Sequence, residues 1–359
     1  MNTSEYSYHD PRFNTSSQVK FKNLGPDETK FKITKPEKIG MFKLDENRQI
    51  QVCNKFTTPP KLDYSTDRSQ FRSSLLRSPY PSKTLKTAFD LNTGFNFMIK
   101  KKTKHDLPEG LRNLLLFTNK NEKIQQNLQQ TDIITWRGIL TRLANGIYMT
   151  TRDQPEMIGV VKKGNKVHIF HPTVKEKLEE KMPLFLEKFC YQGRAFEKFV
   201  NQDPPCYESP VNENLEEVGV FQSKIGKYQV LYGAEMDGDN LEIKSTGFVH
   251  HDGQKLTLLK KSQKWWAQCF LVGVENLLIG YRSKTGIVSE VSEISASLLV
   301  KSAVEQWSWR RSLSCLEASL NLIVETAEKE EVLYLFKICP KGGSLIFFET
   351  EENITDLYF

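Results

Sequence analysis

The 359-residue chain holds no uninterrupted apolar run of about 18 residues, the length a helix needs to cross a bilayer. Met1 to Tyr8 are polar and lack the apolar stretch of a secretory signal, so the expectation is an intracellular protein with no membrane contact. Cysteine is sparse too: the six, at 53, 190, 206, 269, 315 and 339, include no C-x-x-C pair, and the six histidines form no ligand spacing with them. That excludes a disulfide framework and a cysteine-built zinc site, and the cysteines are read as reduced core residues. No internal repeat and no clean linker divides the chain. What is present is 38% hydrophobic residues with 22 Phe and five Trp, enough to bury a large core.

Charge is unevenly spread. The net +6 resolves into +10 over residues 1 to 120 and −4 over the rest, which makes the basic part a candidate contact for a polyanion. The cluster Lys100-Lys101-Lys102-Thr103-Lys104 reads either as solvated surface or as a nuclear-import signal. Residues 1–20 are Ser/Asn/Tyr-rich without periodicity and are expected to be a disordered tail. Residues 21–359 are expected to form one large domain.

Short strand-like runs at 30–34 and 49–56, broken by Pro-bearing loops, suggest an arm laid over the core. A helix is predicted from about Leu107 to Leu116, with a Gln/Asn-rich stretch to Gln130 that either continues it or loops out. Strands are predicted at 133–143, 146–151, 157–162 and 166–170, the last two joined by Lys163-Gly164-Asn165. Helices follow at 183–200, 262–272, 295–307 and 311–327, with Phe185, Phe189, Phe196 and Val200 near helical spacing in the first. Further strands fall at 277–282, 332–339 and 344–348, and 203–217 reads as a loop.

The chemistry concentrates in Gly233-Ala234-Glu235-Met236-Asp237-Gly238-Asp239-Asn240-Leu241-Glu242-Ile243-Lys244. Side chains in a strand alternate faces, so Glu235 and Asp237 share one face and Glu242 and Lys244 share another. A two-residue hairpin turn at Gly238-Asp239 would put Glu235 opposite Glu242 and all four groups on one face. Opposed carboxylates repel, so such a site calls for a cation, and hard oxygen donors suit magnesium or manganese. A hairpin followed by a helix and a strand is the layout of a PD-(D/E)xK nuclease core, here Asp237, four residues, then Glu242-x-Lys244. The fold class expected is α+β, mixed sheets flanked by helices.

Three other places carry polar groups in apolar company. Gln268, in Lys264-Trp265-Trp266-Ala267-Gln268, lies on a face that packs toward the sheet and needs a partner, either a bound water or phosphate or a backbone group. The two tryptophans are read as core rather than base-stacking platforms. Gly193 sits one turn before Glu197 and would let another backbone approach that carboxylate, although composition alone makes Glu197 a surface acid. Arg137, in Thr135-Trp136-Arg137-Gly138, is read as lying within an aromatic strand, where it either clasps a phosphate or forms a structural ion pair.

Taken together, Asp90 to Phe95, Leu107 to Phe117, Thr135 to Thr141, Gly193 to Glu197, Gly233 to Asp237, Glu242 to Lys244, Lys264 to Gln268 and Gly280 to Arg282 resemble the eukaryotic decapping and exoribonuclease family, in that family's order. The resemblance runs from about residue 30 to the carboxyl end. It implies that Glu197, Asp237, Glu242 and the Ile243 carbonyl ligate one or two Mg2+ or Mn2+ ions, with Glu235 helping directly or through water. It implies that Lys244 and Gln268 orient the attacking water, that Arg137 is the family's motif arginine, and that Arg137, Glu197, Lys244 and Gln268 face the substrate. The activity implied is removal of incomplete or NAD caps and 5′-to-3′ trimming at RNA 5′ ends, in the nucleus or in nucleus and cytoplasm both, with a nuclear 5′–3′ exoribonuclease as a candidate partner. Two departures stand out: only four residues separate Asp237 from Glu242, where the family often has a long insertion, and Arg194-Ala195 replaces an aromatic-basic pair. The rivals are a non-catalytic RNA-binding scaffold and a DNA endonuclease of the PD-(D/E)xK group.

Overall fold

A computed structural model describes residues 18–21, 32–65, 78–101, 110–151, 153–172, 183–202, 210–340 and 343–349. Its strands are β1 (Gln18–Lys20), β2 (Glu37–Leu44), β3 (Ile50–Val52), β4 (Lys83–Asp90), β5 (Ile133–Trp136), β6 (Glu156–Lys163), β7 (Lys166–Phe170), β8 (Glu216–Ile225), β9 (Tyr228–Glu235), β10 (Leu241–Gly247), β11 (Asn276–Arg282), β12 (Ile287–Ser295), β13 (Leu333–Cys339) and β14 (Ser344–Glu349). Its helices are α1 (Arg112–Lys120), α2 (Glu122–Gln129), α3 (Arg137–Asn145), α4 (Leu184–Val200), α5 (Asp252–Phe270), α6 (Ala296–Ser302) and α7 (Trp309–Thr326).

The strands form two mixed sheets. The larger runs β1-β14-β13-β6-β7-β5-β9-β8-β2-β3 and the smaller β10-β11-β12-β4. Alternation along the strands decides which layer each face meets. Ile133 and Tyr232 pack inward with α3, α5, α7 and Leu277 and Ile279 of the small sheet, in the largest apolar cluster. Their neighbours Ile134 and Leu231 point the other way, onto Leu114, Phe117 and Ile124 of α1 and α2. On the outer face of the small sheet, Ile243, Leu278 and Val291 meet Phe196 and Phe199 of α4. The α+β class with mixed sheets and flanking helices is as the sequence pattern predicted. Among the described residues no helix is long and apolar enough to cross a membrane.

Several local expectations are overturned. The acidic segment is not a hairpin: β9 belongs to the large sheet and β10 to the small one, where it pairs in parallel with β11. A two-residue hairpin turn of the favoured kind needs positive φ at its central residues. Gly238 and Asp239 lack it, and the positive φ falls at Asn240 instead. Gly238 serves a close approach: a Cβ there would come within 2.9 Å of the Pro59 ring. The corner is held by Asp239 N–H donating to the Thr57 carbonyl and Asn201 Nδ2 donating to the Asp237 carbonyl.

The predicted strand 133–143 ends at Trp136, and Arg137 opens α3, whose Ile139, Leu140, Leu143 and Ala144 are buried at helical spacing. Residues 146–148 form a 3-10 turn rather than a strand. Helix α5 starts ten residues before its predicted start, because His251 Nδ1 accepts from Gln254 N–H while Gln254 Oε1 accepts from His250 N–H, a reciprocal cap. The Gln/Asn-rich stretch continues as α2, α6 stops at Ser302, and β2, β4, β8 and β12 had no predicted counterparts of their length. Cys190 is an exposed thiol, not a core residue, whereas Cys269 and Cys315 are buried. Residues 1–17 of the expected tail, Lys102 to Lys104 and Cys206 lie outside the described residues, while Gln18–Lys20 pair with β14.

Candidate active site

Strand β10 is the edge of the small sheet, and its side chains split across the two faces. Ile243 points to the α4 side and is fully buried. Glu242 and Lys244 therefore point to the α5 side. In register with Leu277 and Ile279, they are charged groups set into the face that otherwise forms the main core. The Ile243 N–H leaves the unpaired edge of the strand and donates to Asp237 Oδ2 at 2.9 Å. Backbone N–H and C=O of one strand residue point the same way, so the Ile243 carbonyl also faces that open edge.

Four elements bring charges to this edge. Lys244 Nζ lies 2.6 Å from Glu242 Oε1 and 3.2 Å from Asp237 Oδ2, so its ammonium stands between the two carboxylates. Arg137, at the first position of α3, donates to the Glu235 carbonyl at 2.8 Å and pairs with Glu242 at 3.5 Å, long for a hydrogen bond. The side chain of Glu242 is 1% exposed, that of Arg137 7% and that of Asp237 10%. Glu197 comes from the last turns of α4, whose packing on β10 brings it into the field of Asp237, Lys244, Glu235 and Glu242. That packing depends on Gly280 of β11, where a Cβ would sit 2.5 Å from the Phe196 ring. Gly193 does not play this part, since nothing lies within 4 Å of a Cβ there.

The electrostatics follow from four carboxylates facing two cations. Burial, then Asp237, push Glu197 well above the usual carboxylate range. Burial, then Glu242, also raise Asp237, although Lys244 and the Ile243 N–H oppose this. Burial would raise Glu242 as well, but Lys244 and then Arg137 outweigh it and hold that carboxyl low. For Lys244, burial is outweighed by Asp237, Glu242 and Glu197, and its ammonium is held charged. Glu235 is different in kind. It is exposed at the cleft, yet the protein around it, then Glu216 and Asp237, push its carboxyl up to about 7.

A cleft of about 570 Å³ opens onto this cluster, lined among others by Lys101, Arg194, Glu197, Glu216, Glu235 and Asp237. Its rim is tied by Lys101 to Glu216 at 2.9 Å and by Arg194 to Glu213. As the side chains stand, no three His, Cys, Asp or Glu groups among the described residues close tightly enough to hold an ion, because Lys244 occupies the gap between two of them. The donor chemistry fits a divalent cation nonetheless: hard oxygens, a carbonyl at an open edge and a surplus of negative charge that burial makes costly.

Of the residues singled out from sequence, Glu197, Asp237, Glu242, Ile243, Lys244 and Arg137 come together, with Glu235 at the cleft side. Arg137 takes the ion-pair alternative, since its guanidinium is engaged by Glu242 and the Glu235 carbonyl. Gln268 is half-buried and has no side-chain hydrogen bond among the described residues, and the buried, bonded amide of α5 is Gln263, which donates to Asn145 at 2.5 Å. Trp265 and Trp266 are core, Trp266 stacking on Phe270 at 5.0 Å. Missed were Lys264, whose charge reaches Lys244 and Arg137, and Asn201, which anchors Asp237. Lys264 begins a quoted motif and only its role went unread; nothing local marked Asn201.

Comparisons with known proteins agree in kind. A family described as RAI1 like PD-(D/E)XK nuclease matches residues 34–356. A Cryptococcus neoformans "Decapping nuclease RAI1" is 28% identical over 225 residues, 55% of this chain and 56% of that protein. The human "Decapping and exoribonuclease protein" is 24% identical over 337 residues, 86% of this chain and 80% of its own length. Among solved structures, Candida albicans Rai1 in complex with pU5-Mn2+ superposes with a TM-score of 0.67 at 17% identity, covering 91% of this chain and 92% of that one.

Proposed function

Because this chain belongs to the RAI1-like PD-(D/E)XK nuclease family, we propose that it is a divalent-metal-dependent hydrolase acting at RNA 5′ ends, removing incomplete or NAD caps and trimming 5′-phosphorylated RNA 5′ to 3′. The observation that carries this reading is Lys244 lodged between Asp237 and Glu242, with Glu197 within electrostatic reach beneath an open cleft. The named relatives support it: two are decapping proteins, and the Candida structure holds an RNA pentamer with manganese.

Glu197, Asp237, Glu242 and the Ile243 carbonyl would hold Mg2+ or Mn2+, with Glu235 beside them. The ion supplies Lewis acidity, lowering the pKa of water and offsetting charge on the reacting phosphate. Lys244, kept charged by its carboxylate neighbours, fixes a positive charge next to the attacking oxygen. Arg137 holds Glu242 ionised and in place. Glu235, its carboxyl raised by the surrounding protein, Glu216 and Asp237, stands in the cleft where it can take or return a proton. Gln268, with no side-chain partner among the described residues, would donate or accept at the substrate.

The lysine cluster at 100–104 supports a nuclear site of action, and a nuclear 5′–3′ exoribonuclease is the partner this reading implies; imaging of a tagged chain and co-purification test them. The reaction itself is tested by mapping products from 5′-triphosphate, 5′-monophosphate and dinucleotide-capped RNAs with and without Mg2+. The reading requires metal-dependent release from the 5′ end. Metal-independent products, cutting inside the chain, or no turnover on any substrate would overturn it.

A further inference from the structure

Two of the segments that carry the family resemblance, Asp90 to Phe95 and Gly280 to Arg282, contribute no side chain to the acid cluster, yet both reach the same residue of α4. That residue is Gln192, only 4% exposed. Its Oε1 accepts from Arg282, the last residue of β11, and its Nε2 donates to Asn92 Oδ1 at 3.0 Å. Asn92 Nδ2 donates in turn to Asp90 Oδ1 at 2.8 Å and to the Thr285 carbonyl at 2.6 Å. A guanidinium only donates, whereas a carboxylate or carbonyl oxygen accepts, so both amides are fixed in orientation and the bonds run one way, from Arg282 to Asp90.

The surroundings are shaped to this chain of bonds. Gly286, in the turn between β11 and β12, has φ +87°, and a Cβ there would come within 2.7 Å of both the Asn92 and the Gln192 amide nitrogens. The partly exposed Phe189 ring lies 4.5 Å from the Arg282 guanidinium, and Tyr191 OH donates to the Thr93 carbonyl. The middle of α4 is thus tied to the end of the small sheet. Such a tie opposes a force: Asp237, Glu235 and Glu242 all repel a charge on Glu197 and Lys244 attracts it, so the acids together push the end of α4 off β10. The apolar packing of Phe196 and Phe199 resists separation, but being non-directional it does not fix how far the helix slides. Gln192 stands five residues before Glu197, about 7.5 Å along the helix, and Asn201, bonded to the Asp237 carbonyl, stands just beyond it. Glu197 is held between two polar anchors.

We infer that Asp90, Asn92, Gln192 and Arg282 form a positioning relay, which sets where α4 lies along the small sheet and so presents Glu197 to a divalent ion against the repulsion of the other acids. This rests on the reading of the acid cluster as a metal-dependent 5′-end hydrolase.

Gln192→Met keeps the volume and removes both bonds. Mn2+ binding by electron paramagnetic resonance and kinetics on a 5′-monophosphate RNA are compared with the wild type, at a temperature where circular dichroism shows each protein folded. The relay requires the Mn2+ Kd to rise about tenfold and kcat to fall about tenfold, with KM unchanged because none of the four residues lines the cleft. Asn92→Asp, which sets an acceptor against Asp90 and the Thr285 carbonyl, should move both quantities the same way. Ile323→Ala, a core truncation in α7, should lower Tm and leave both as they are. Wild-type Kd and kcat in folded Gln192→Met, or an equal loss in Ile323→Ala, overturns the relay. If the wild type cuts no 5′-phosphorylated or capped RNA while Gln192→Met still loses Mn2+ affinity about tenfold, the relay stands and the hydrolase reading fails. A wild type that binds no Mn2+ overturns both.

Discussion

Replacing Glu242 with glutamine removes a charge and almost no volume from the most enclosed carboxylate of the site. Its neighbours are Lys244 at 2.6 Å and Arg137 at 3.5 Å. At an effective dielectric constant of about 20 each contact is worth roughly 5 to 6 kcal/mol before desolvation is counted. Truncating one partner of a buried pair costs about 3 to 5 kcal/mol. The low end applies here, because Lys244 keeps Asp237 as a partner and Asp237 loses a like-charged neighbour. For 359 residues an unfolding entropy of about 2.1 cal/mol/K per residue turns about 3 kcal/mol into a Tm drop of roughly 4 °C. Circular dichroism melts at pH 7 measure that drop, and the same samples with Mn2+ measure how much the ion raises Tm. The variant should melt lower, gain less from Mn2+ and lose at least about a hundredfold in 5′-end turnover. A variant with the wild-type Tm, the same Mn2+ response and intact turnover would refute the electrostatic reasoning.

Gly280→Ala drives a methyl into the Phe196 ring and should cost about 1 to 3 kcal/mol by overpacking; because Glu197 follows Phe196, turnover should fall further than stability predicts, and wild-type kinetics would show that α4 placement is not critical. His168 is buried and pushed down to about 4, by burial first. The unfolded chain takes up this proton below about pH 6.5 while the folded one does not until about pH 4, so stability is lost as pH falls through that window, by at most about 3 kcal/mol. Urea midpoints of His168→Gln should fall less between pH 7 and 4.5 than those of the wild type, and parallel curves would contradict this.

How much of this was legible in the sequence depended on whether the signal was local. The β6–β7 hairpin was readable because Lys163-Gly164-Asn165 carries its own turn chemistry, with Gly164 at φ 60°. Helices α4 and α7 fall close to their predicted bounds, but of the four spaced apolar positions in α4 only Phe196 and Val200 are buried, while Phe185 and Phe189 are exposed. The acids were found correctly and joined incorrectly: Gly238-Asp239 has hairpin composition, but the contacts of Thr57, Pro59 and Asn201 turn the chain into the other sheet, and no local pattern records those partners. Glu197 still converges with Asp237 and Glu242 because α4 crosses the edge of β10, a tertiary fact that only the family resemblance anticipated. In 133–143 a helical signal was present at Ile139, Leu140, Leu143 and Ala144 but was masked by the β-branched and aromatic run before it. Strand β2 pairs with β8 across some 180 positions of chain, and such pairing leaves no trace in its own eight residues.

Equilibrium Mn2+ binding, measured by electron paramagnetic resonance on the wild type and on a Glu197→Gln/Asp237→Asn variant, decides whether these carboxylates hold a divalent ion. One or two ions should bind the wild type, and binding and 5′-end cleavage should be lost together in a variant that still folds. Full Mn2+ occupancy with intact cleavage in that variant would contradict it.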